Sequence, residues 1–418
     1  MVACNNGAGG YKGIPFNRQK TVVNALRIIK NMQEIKPPAH TTGSVRWLKD
    51  NLFNTWYNVL LSCLALIFLF FAFKGLLTWA FTEAKWGVIP ANLQLFGVGA
   101  YPREQIWRVW SVIYILCVLV GLSAGMWGGL TLRFALVLVG ICFIGGLSPF
   151  ELSTRGWFLG AVATTVVSLF LGRGRTGLRP WILGAWLLSF PLIMIVLRGF
   201  GENGVLTSNW GGLLLTLILA VVGIVVSFPL GVFLALCRQS NLPAIRWVST
   251  AYIEMVRGVP LITILFMGSI LIPIFMPGLD INQVLRMMIG ITFFSAAYMA
   301  ENVRGGLQGI PRGQHEAAQA IGLNYAQTML LIVLPQALRS VIPAIVGQFI
   351  ALFKDTSLVA IIGLIDLLGV ARSVIANPDW FGLQAEVYLF AAIIYFVFSY
   401  SMSYGSQEIE DALRVGEI

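Results

Sequence analysis

Long runs of hydrophobic positions, separated by short polar or basic segments, dominate the chain from residue 56 onward. A helix needs about 20 apolar residues to cross a bilayer core about 30 Å thick. Measured against that length, the runs predict ten membrane-spanning helices. They cover approximately 56–81, 109–127, 131–148, 156–172, 181–198, 210–236, 248–275, 284–304, 340–363 and 385–404.

The composition agrees with this pattern, since 57% of the 418 residues are hydrophobic and only 11% are charged. Soluble domains carry about 25% charged residues. A net charge of +10 could indicate a nucleic-acid ligand, but the basic residues lie in short segments between the apolar runs. That distribution is typical of membrane topology. The sequence therefore predicts an all-α, polytopic membrane helix bundle that binds no nucleic acid.

The basic residues also predict the orientation of the chain. Residues 1–53 lack the early apolar run of a signal peptide and carry eight Lys and Arg residues against Glu34 and Asp50. The positive-inside rule therefore places this tail in the cytoplasm. With ten spans, "GRGRTGLRP", "CRQSNLPAIRW", the polar segment after residue 304 and the C-terminus all fall on the same side.

Residues for catalysis or metal binding are sparse. The five cysteines are scattered singly, and the two histidines have no partners for a metal site nearby. The chain has no nucleophile motif and no G-x-x-x-x-G-K-[ST] loop for ATP phosphates. We therefore expect no enzyme activity and no bound cofactor. A GxxxG spacing in "GLSAG" (Gly121, Gly125) instead predicts close helix packing.

One polar segment, "HEAAQAIGLNYAQTMLLIVLP", interrupts the apolar runs between His315 and Pro335. Pro311 suits a helix start, and Gly322 suits the left-handed residue after a helix end. Asn324 can cap a second helix, with Pro335 beyond its end. The segment thus predicts two short helices joined by a sharp turn.

The same segment carries a family resemblance. Glu316-Ala317-Ala318, then Gly322, then Ile332-Val333-Leu334-Pro335 resembles the EAA motif of permease subunits of binding-protein-dependent ABC importers of the type I fold. The flanks resemble the polar amino-acid group of that family, over about residues 205–405, and the longer subunits of general L-amino-acid importers. They read "YIEMVRGVPLITILF" (252–266), "ENVRGGLQGIPRGQHEAAQAIG" (301–322) and "LPQALRSVIPAIVGQFIALFKDTSLVAIIG" (334–363).

This resemblance implies a domain organisation. We expect a permease core at 205–405, with its EAA loop at 311–335, after an accessory transmembrane bundle at 54–204. Cytoplasmic tails would cover residues 1–53 and 406–418, the latter acidic where many relatives end basic. In the family the EAA loop is the coupling helix that seats in a cleft of the ATPase. That role is carried to Gly313, Gln314, Glu316, Ala317, Ala318, Gly322 and Leu323.

The resemblance also implies partners and a mechanism. These are an ATPase subunit dimer that binds ATP and Mg, a second and distinct permease subunit, and a periplasmic amino-acid-binding protein, all at the bacterial inner membrane. The pathway would work by alternating access, and the substrate would be an amino acid. The alternative is an ion-coupled secondary amino-acid transporter, which predicts inverted repeats; none is visible in the sequence.

Charged residues inside the predicted spans need a reason, because each costs at least about 2.5–3.5 kcal/mol at the bilayer centre. One interpretation is a set of staples between helices, joining Arg304 to Asp355 and Lys354 to Glu301 or Glu254. The other is a cavity for a zwitterion, in which Arg304 holds the carboxylate and Asp355 or Glu301 accepts the ammonium group. The candidate pathway residues are Arg304, Asp355, Glu301, Lys354, Thr356, Ser357, Glu254 and Arg257.

Overall fold

The computed structural model describes residues 47–48, 51–148, 151–201, 204–278 and 281–414. Within these ranges the chain forms helices and connecting turns and no β-strand. Most of the predicted N-terminal tail, and residues 415–418 of the predicted C-terminal tail, lie outside the described residues. The prediction of an all-α fold is confirmed.

Nine helical segments of the described chain are long and apolar enough to cross a membrane, and a bent pair brings the number to as many as ten. The long helices are α1 (Trp56–Thr78, continued by a π-helical turn at Trp79–Glu83), α4 (Ile106–Trp127), α5 (Gly129–Leu147), α6 (Leu152–Gly172), α7 (Arg179–Arg198), α8 (Gly212–Arg238), α11 (Gln283–Gln308), α15 (Ile342–Asp355, continued by a 3-10 helix at Thr356–Ile362) and α17 (Gln384–Arg414). The shorter helices are α2 (Val88–Ala91), α3 (Leu93–Val98), α9 (Pro243–Arg257), α10 (Leu261–Phe275), α12 (Arg312–Ala320), α13 (Tyr325–Gln327), α14 (Leu334–Ser340) and α16 (Leu367–Ile375).

The seventh predicted span is not one straight helix. Helices α9 and α10 meet at an angle of 101°. Pro260, in extended conformation at the break, cannot donate a helical hydrogen bond and disfavours helix in the residue before it. The predicted span over 248–275 is therefore broken into two helices at Pro260. If α10 crosses the bilayer, α9 runs nearly parallel to the membrane surface.

The chain divides into two compact units, Met1–Ala84 and Lys85–Ile418. The predicted boundary near residue 205 does not coincide with this division. Within the second unit, buried Val109 of α4 and Leu197 of α7 share one hydrophobic core with Leu215 and Leu219 of α8. Four of the five predicted accessory spans therefore belong to the same compact unit as the predicted permease core.

The close packing predicted from "GLSAG" is confirmed. A Cβ on Gly121 of α4 would lie 2.5 Å from the Thr165 carbonyl oxygen of α6. A Cβ on Gly125 would collide with the Leu169 carbonyl oxygen. Only glycine allows the two backbones to approach this closely.

The start of α5 is joined to the end of α17. Arg133 forms an ion pair with Glu408 and donates a hydrogen bond of 2.6 Å to the Tyr404 hydroxyl. These two ends therefore lie on the same side of the bundle, as the predicted alternation of spans requires. Helix α17 continues to Arg414, so residues 406–414, expected to be tail, extend the helix. Their sequence, "SQEIEDALR", consists mostly of good helix formers.

Candidate functional site

The EAA segment, residues 311–335, begins with helix α12 and a tightly closed C-terminus. The Leu323 N–H donates to the Ala318 carbonyl at 3.1 Å, and the Gly322 N–H donates to the Gln319 carbonyl at 2.9 Å. Gly322 has a φ of +86°, the left-handed conformation that glycine adopts without strain. This pair of bonds is a Schellman motif. The sharp turn predicted at Gly322 is confirmed.

The second half of the segment begins with a capping box. The Asn324 side chain accepts from the Gln327 N–H at 2.9 Å, and the Gln327 side chain accepts from the Asn324 N–H at 3.0 Å. We predicted that this helix ends before Pro335. In the structure it continues through a π-helical turn at Thr328–Val333 into α14, which contains Pro335. The wider turn accommodates the missing proline N–H. Fixed at both sides of the turn, the segment is a rigid helical hairpin.

The predicted coupling residues divide by exposure. Gly313, Gln314, Glu316, Ala317 and Gly322 are exposed. Ala318 is buried and Leu323 is half-buried, so these two contribute to packing within the hairpin. The Gln336 side chain of α14 donates to that of Gln314 at 3.2 Å, which joins the two arms. The surface open to a partner is thus formed by the glutamate, the first alanine and the glycines.

The hairpin also exposes large apolar side chains that sequence reasoning missed. Ile321 is 74% exposed, and Tyr325, Leu330 and Leu331 are each more than half exposed. Their position directly beside the predicted turn was the available signal, because apolar residues exposed together mark a contact surface.

Five charged residues from three helices form an arginine–glutamate network: Arg238 of α8, Glu254 and Arg257 of α9, and Glu301 and Arg304 of α11. Glu301 lies at its centre. Its Oε1 accepts from Arg304 Nε at 2.8 Å, and its Oε2 lies 3.1 Å from Arg238 Nη1 and 3.3 Å from Arg257 Nη1. Glu254 pairs with Arg238 at 2.8 Å. The network therefore joins the ends of three helices around one carboxylate.

This arrangement corrects the predicted staples. Arg304 pairs with Glu301 on its own helix and not with Asp355, because residues at i and i+3 share one helix face. Neither Lys354 nor Asp355 forms an ion pair within the described part of the chain. Arg238 was not among our candidates. It follows the predicted span 210–236 in the basic segment "CRQSNLPAIRW", and there it contributed only to the predicted orientation. In the structure its long side chain pairs with glutamates of two other helices.

The remaining candidates lie where α15 gives way to the 3-10 helix. Asp355 is the last residue of α15 and is half-buried, while Lys354 is exposed. Thr356 is fully buried and donates to the Phe353 carbonyl at 2.7 Å, and Ser357 is half-buried beside it. These four residues are close because they are consecutive in the sequence. None of them takes part in the arginine–glutamate network.

A buried carboxylate between α15 and α17 also escaped sequence reasoning. Asp366 is fully buried and caps α16, accepting from the Gly369 N–H at 2.9 Å. The Tyr395 hydroxyl of α17 donates to its other oxygen at 3.1 Å. Burial raises the pKa of Asp366 to about 6. Thr216 of α8 accepts from the neighbouring Leu367 N–H at 3.0 Å, so this cluster ties α16 to two long helices.

Comparison with known proteins places these features in a family. Residues 227–412 match the family described as "Binding-protein-dependent transport system inner membrane component". The chain is 37% identical to the inner membrane amino-acid ABC transporter permease protein YhdY of Escherichia coli, over 91% of this chain and 96% of that protein. It is 35% identical to the glutamate/glutamine/aspartate/asparagine transport system permease protein BztC of Rhodobacter capsulatus, over 90% of this chain and 95% of that one.

Shorter relatives and a solved structure match the second half. The glutamate/aspartate import permease protein GltK of Escherichia coli is 39% identical over 46% of this chain and 87% of its own. A crystal structure of an amino acid ABC transporter with histidines covers 48% of this chain and 92% of its own, with 31% identity and a TM-score of 0.44. With two relatives aligned over nine-tenths of its length, the chain belongs to the family of amino-acid ABC transporter permeases, multi-pass proteins of the inner membrane.

Proposed function

We propose that the chain is the permease subunit of an ATP-driven amino-acid importer, moved by an ATPase that docks on the EAA segment. The observation that carries this proposal is the doubly capped hairpin. A partner that pushes on Glu316 and Ile321 acts on a segment whose turn is fixed by the Schellman motif and the capping box. A slack loop would absorb such a displacement, whereas this hairpin passes it on.

The displacement has a direct route into the bundle. Helix α11 ends at Gln308, four residues before α12 begins, and carries Glu301 and Arg304 in its last turns. Through these residues the arginine–glutamate network links the base of the EAA segment to α8 and α9. Movement of the ATPases would thus reorient three helices together, which is what alternating access requires.

The substrate pathway is proposed along α15 and α11. Asp355 and Lys354 have no ion-pair partner within the described ranges, and Thr356 and Ser357 follow at a change of helix type. Such a discontinuity offers free backbone groups to a zwitterion. Arg304 and Glu301 are occupied by each other, with Glu254 and Arg257 beside them, so their proposed contact with the substrate needs the network to rearrange.

The remaining parts of the proposal concern partners and orientation. A second permease subunit would complete the pathway, a periplasmic amino-acid-binding protein would deliver the substrate, and ATP and Mg would bind to the ATPases. Both termini would face the cytoplasm, on the side that carries the EAA segment. The ion pair between Arg133 and Glu408 joins the end of α17 to the start of α5, and so supports the expected side of the C-terminus.

Uptake of labelled amino acids tests the proposal, using proteoliposomes that contain the chain and its copurifying subunits. Glu316→Arg should abolish copurification of an ATPase and ATP-driven uptake without changing the thermal unfolding of the chain. Arg175→Glu, at an exposed site in another basic segment, is the matched control and should leave both unchanged. Uptake that follows a sodium or proton gradient without ATP would refute the proposal in favour of a secondary transporter.

A further inference from the structure

A groove of about 710 Å³ opens between α8, α9 and α11. Its walls include Leu230, Phe233 and Leu234 of α8, Val248 of α9 and Phe293 of α11. The hydroxyl of Tyr252, which also lines it, is used internally because it donates to the Phe293 carbonyl at 2.7 Å. A zwitterionic amino acid would lose its hydration here without gaining partners. The lining suits a hydrocarbon chain.

Helix α9 forms one wall of this groove and has the properties of an interfacial helix. Its sequence, "PAIRWVSTAYIEMVR", places apolar and polar residues on different faces. The 101° angle to α10 lets it lie along the membrane surface while α10 crosses. Helices with an apolar face and arginine on the polar side bind at the boundary between lipid headgroups and acyl chains.

The end of the groove adjoins a second concavity of about 650 Å³. Ala244 and Val248 line both, so the two flank the same stretch of α9. The second is lined by Arg246, Trp247 and Thr250, and Trp247 is 74% exposed. Arg246 forms no ion pair within the described residues, whereas Glu254 and Arg257 of the same helix are engaged in the arginine–glutamate network.

We propose that this surface is a binding site for one anionic phospholipid. The acyl chain lies in the groove, the guanidinium of Arg246 holds the phosphate, and Trp247 lies at headgroup level, where tryptophan is enriched. The combination of a hydrocarbon-lined groove with a cation in the neighbouring concavity of the same helix matches a charged headgroup on an apolar tail. The lipid would then brace α9 against α8 and α11, beside the arginine–glutamate network.

Native mass spectrometry of the purified transporter complex tests this site. After delipidation, the complex is titrated with phosphatidylglycerol or phosphatidylcholine of equal chain length. Arg246→Gln should weaken retention of phosphatidylglycerol about fivefold, the usual contribution of one basic residue at an anionic surface, and leave phosphatidylcholine unchanged. Ala244→Trp, which fills the shared part of the two cavities, should reduce retention of both lipids. Arg175→Gln should change neither.

Equal retention of phosphatidylglycerol by the Arg246→Gln variant and the wild type would overturn the proposal. So would a cross-link from a cysteine at Val248 to a second permease subunit, since the groove would then be a protein interface. Arg246 is exposed, and its substitution does not disturb the fold; unchanged thermal unfolding and gel filtration of the variant check this. The outcome is separate from the proposed coupling to ATP, because lipid binding is measured without ATP.

Discussion

Replacing Glu301 by glutamine should destabilise the bundle more than replacing any one of its arginine partners. The substitution keeps the shape of the side chain but removes the one carboxylate of the described residues that contacts all three of Arg238, Arg257 and Arg304. Three guanidinium groups would then share Glu254, which contacts one of them and is 54% exposed. Removing one arginine instead leaves Glu301 with two cations.

The magnitude follows from burial. Removing one partner of a fully buried ion pair costs about 3–5 kcal/mol. The Glu301 side chain is 20% exposed and those of Arg257 and Arg304 about one-third, so water can screen part of the remaining charge. We therefore expect a loss of about 2 kcal/mol for Glu301→Gln and about 1 kcal/mol for Arg304→Gln.

Thermal unfolding of the purified chain in one detergent measures both variants. We expect the Glu301→Gln midpoint to fall by about 4 °C and the Arg304→Gln midpoint by about half as much. The double variant Glu301→Gln/Arg257→Gln should recover part of the loss, since it removes one of the stranded cations. Equal shifts for the two single variants, or no recovery in the double variant, would refute the idea that Glu301 is the shared centre.

Three further predictions concern glycines and a buried acid. Gly125→Leu should destabilise the packing of α4 on α6 by about 2 kcal/mol, whereas Gly140→Leu, where a Cβ meets nothing within 4 Å, should have little effect on thermal unfolding. Gly322→Ala forces a side chain into the left-handed region at a cost of about 1–2 kcal/mol and should slow ATP-driven uptake severalfold. Gly177→Ala, outside the EAA segment and with nothing within 4 Å of the added Cβ, should not. Because burial raises the pKa of Asp366 to about 6, its contribution to stability is full below the unfolded value of 3.8 and is lost as the pH rises through 6. Asp366→Asn should remove that pH dependence from the unfolding midpoint, and an unchanged slope would contradict it.

The sequence was sufficient for the helices, and for the turn at Gly322, because both depend on local patterns. Twenty-residue apolar runs become membrane helices in nearly any context. Gly322 closes one helix and Asn324 caps the next, and both motifs use hydrogen bonds within a few residues. Proline was less predictable. Pro260 bends the chain by 101° between two helices, whereas Pro335 follows a π-helical turn in a segment that stays helical.

The sequence did not show which distant residues pair with each other. The apolar runs show that charges inside or beside them need partners, but not which ones, because helix rotation and relative height decide that. Arg238 was therefore not among our candidates. One of our two interpretations paired Arg304 with Asp355, whereas Arg304 pairs with Glu301. Asp366 lies outside the runs, so nothing in the local pattern indicated that it would be buried.

The hydrophobic core shared by α4, α7 and α8 bears on how chains of this kind can be recombined. Val109, Leu197 and Leu215 are buried in the same hydrophobic core. The face of α8 towards the preceding helices is therefore adapted to contact protein and not lipid. A chimera joined at residue 205 would set an α8 from one ancestor against α4 and α7 from another. Exchange of the two halves should therefore succeed only when the contacting positions are inherited together, as a single unit of evolution.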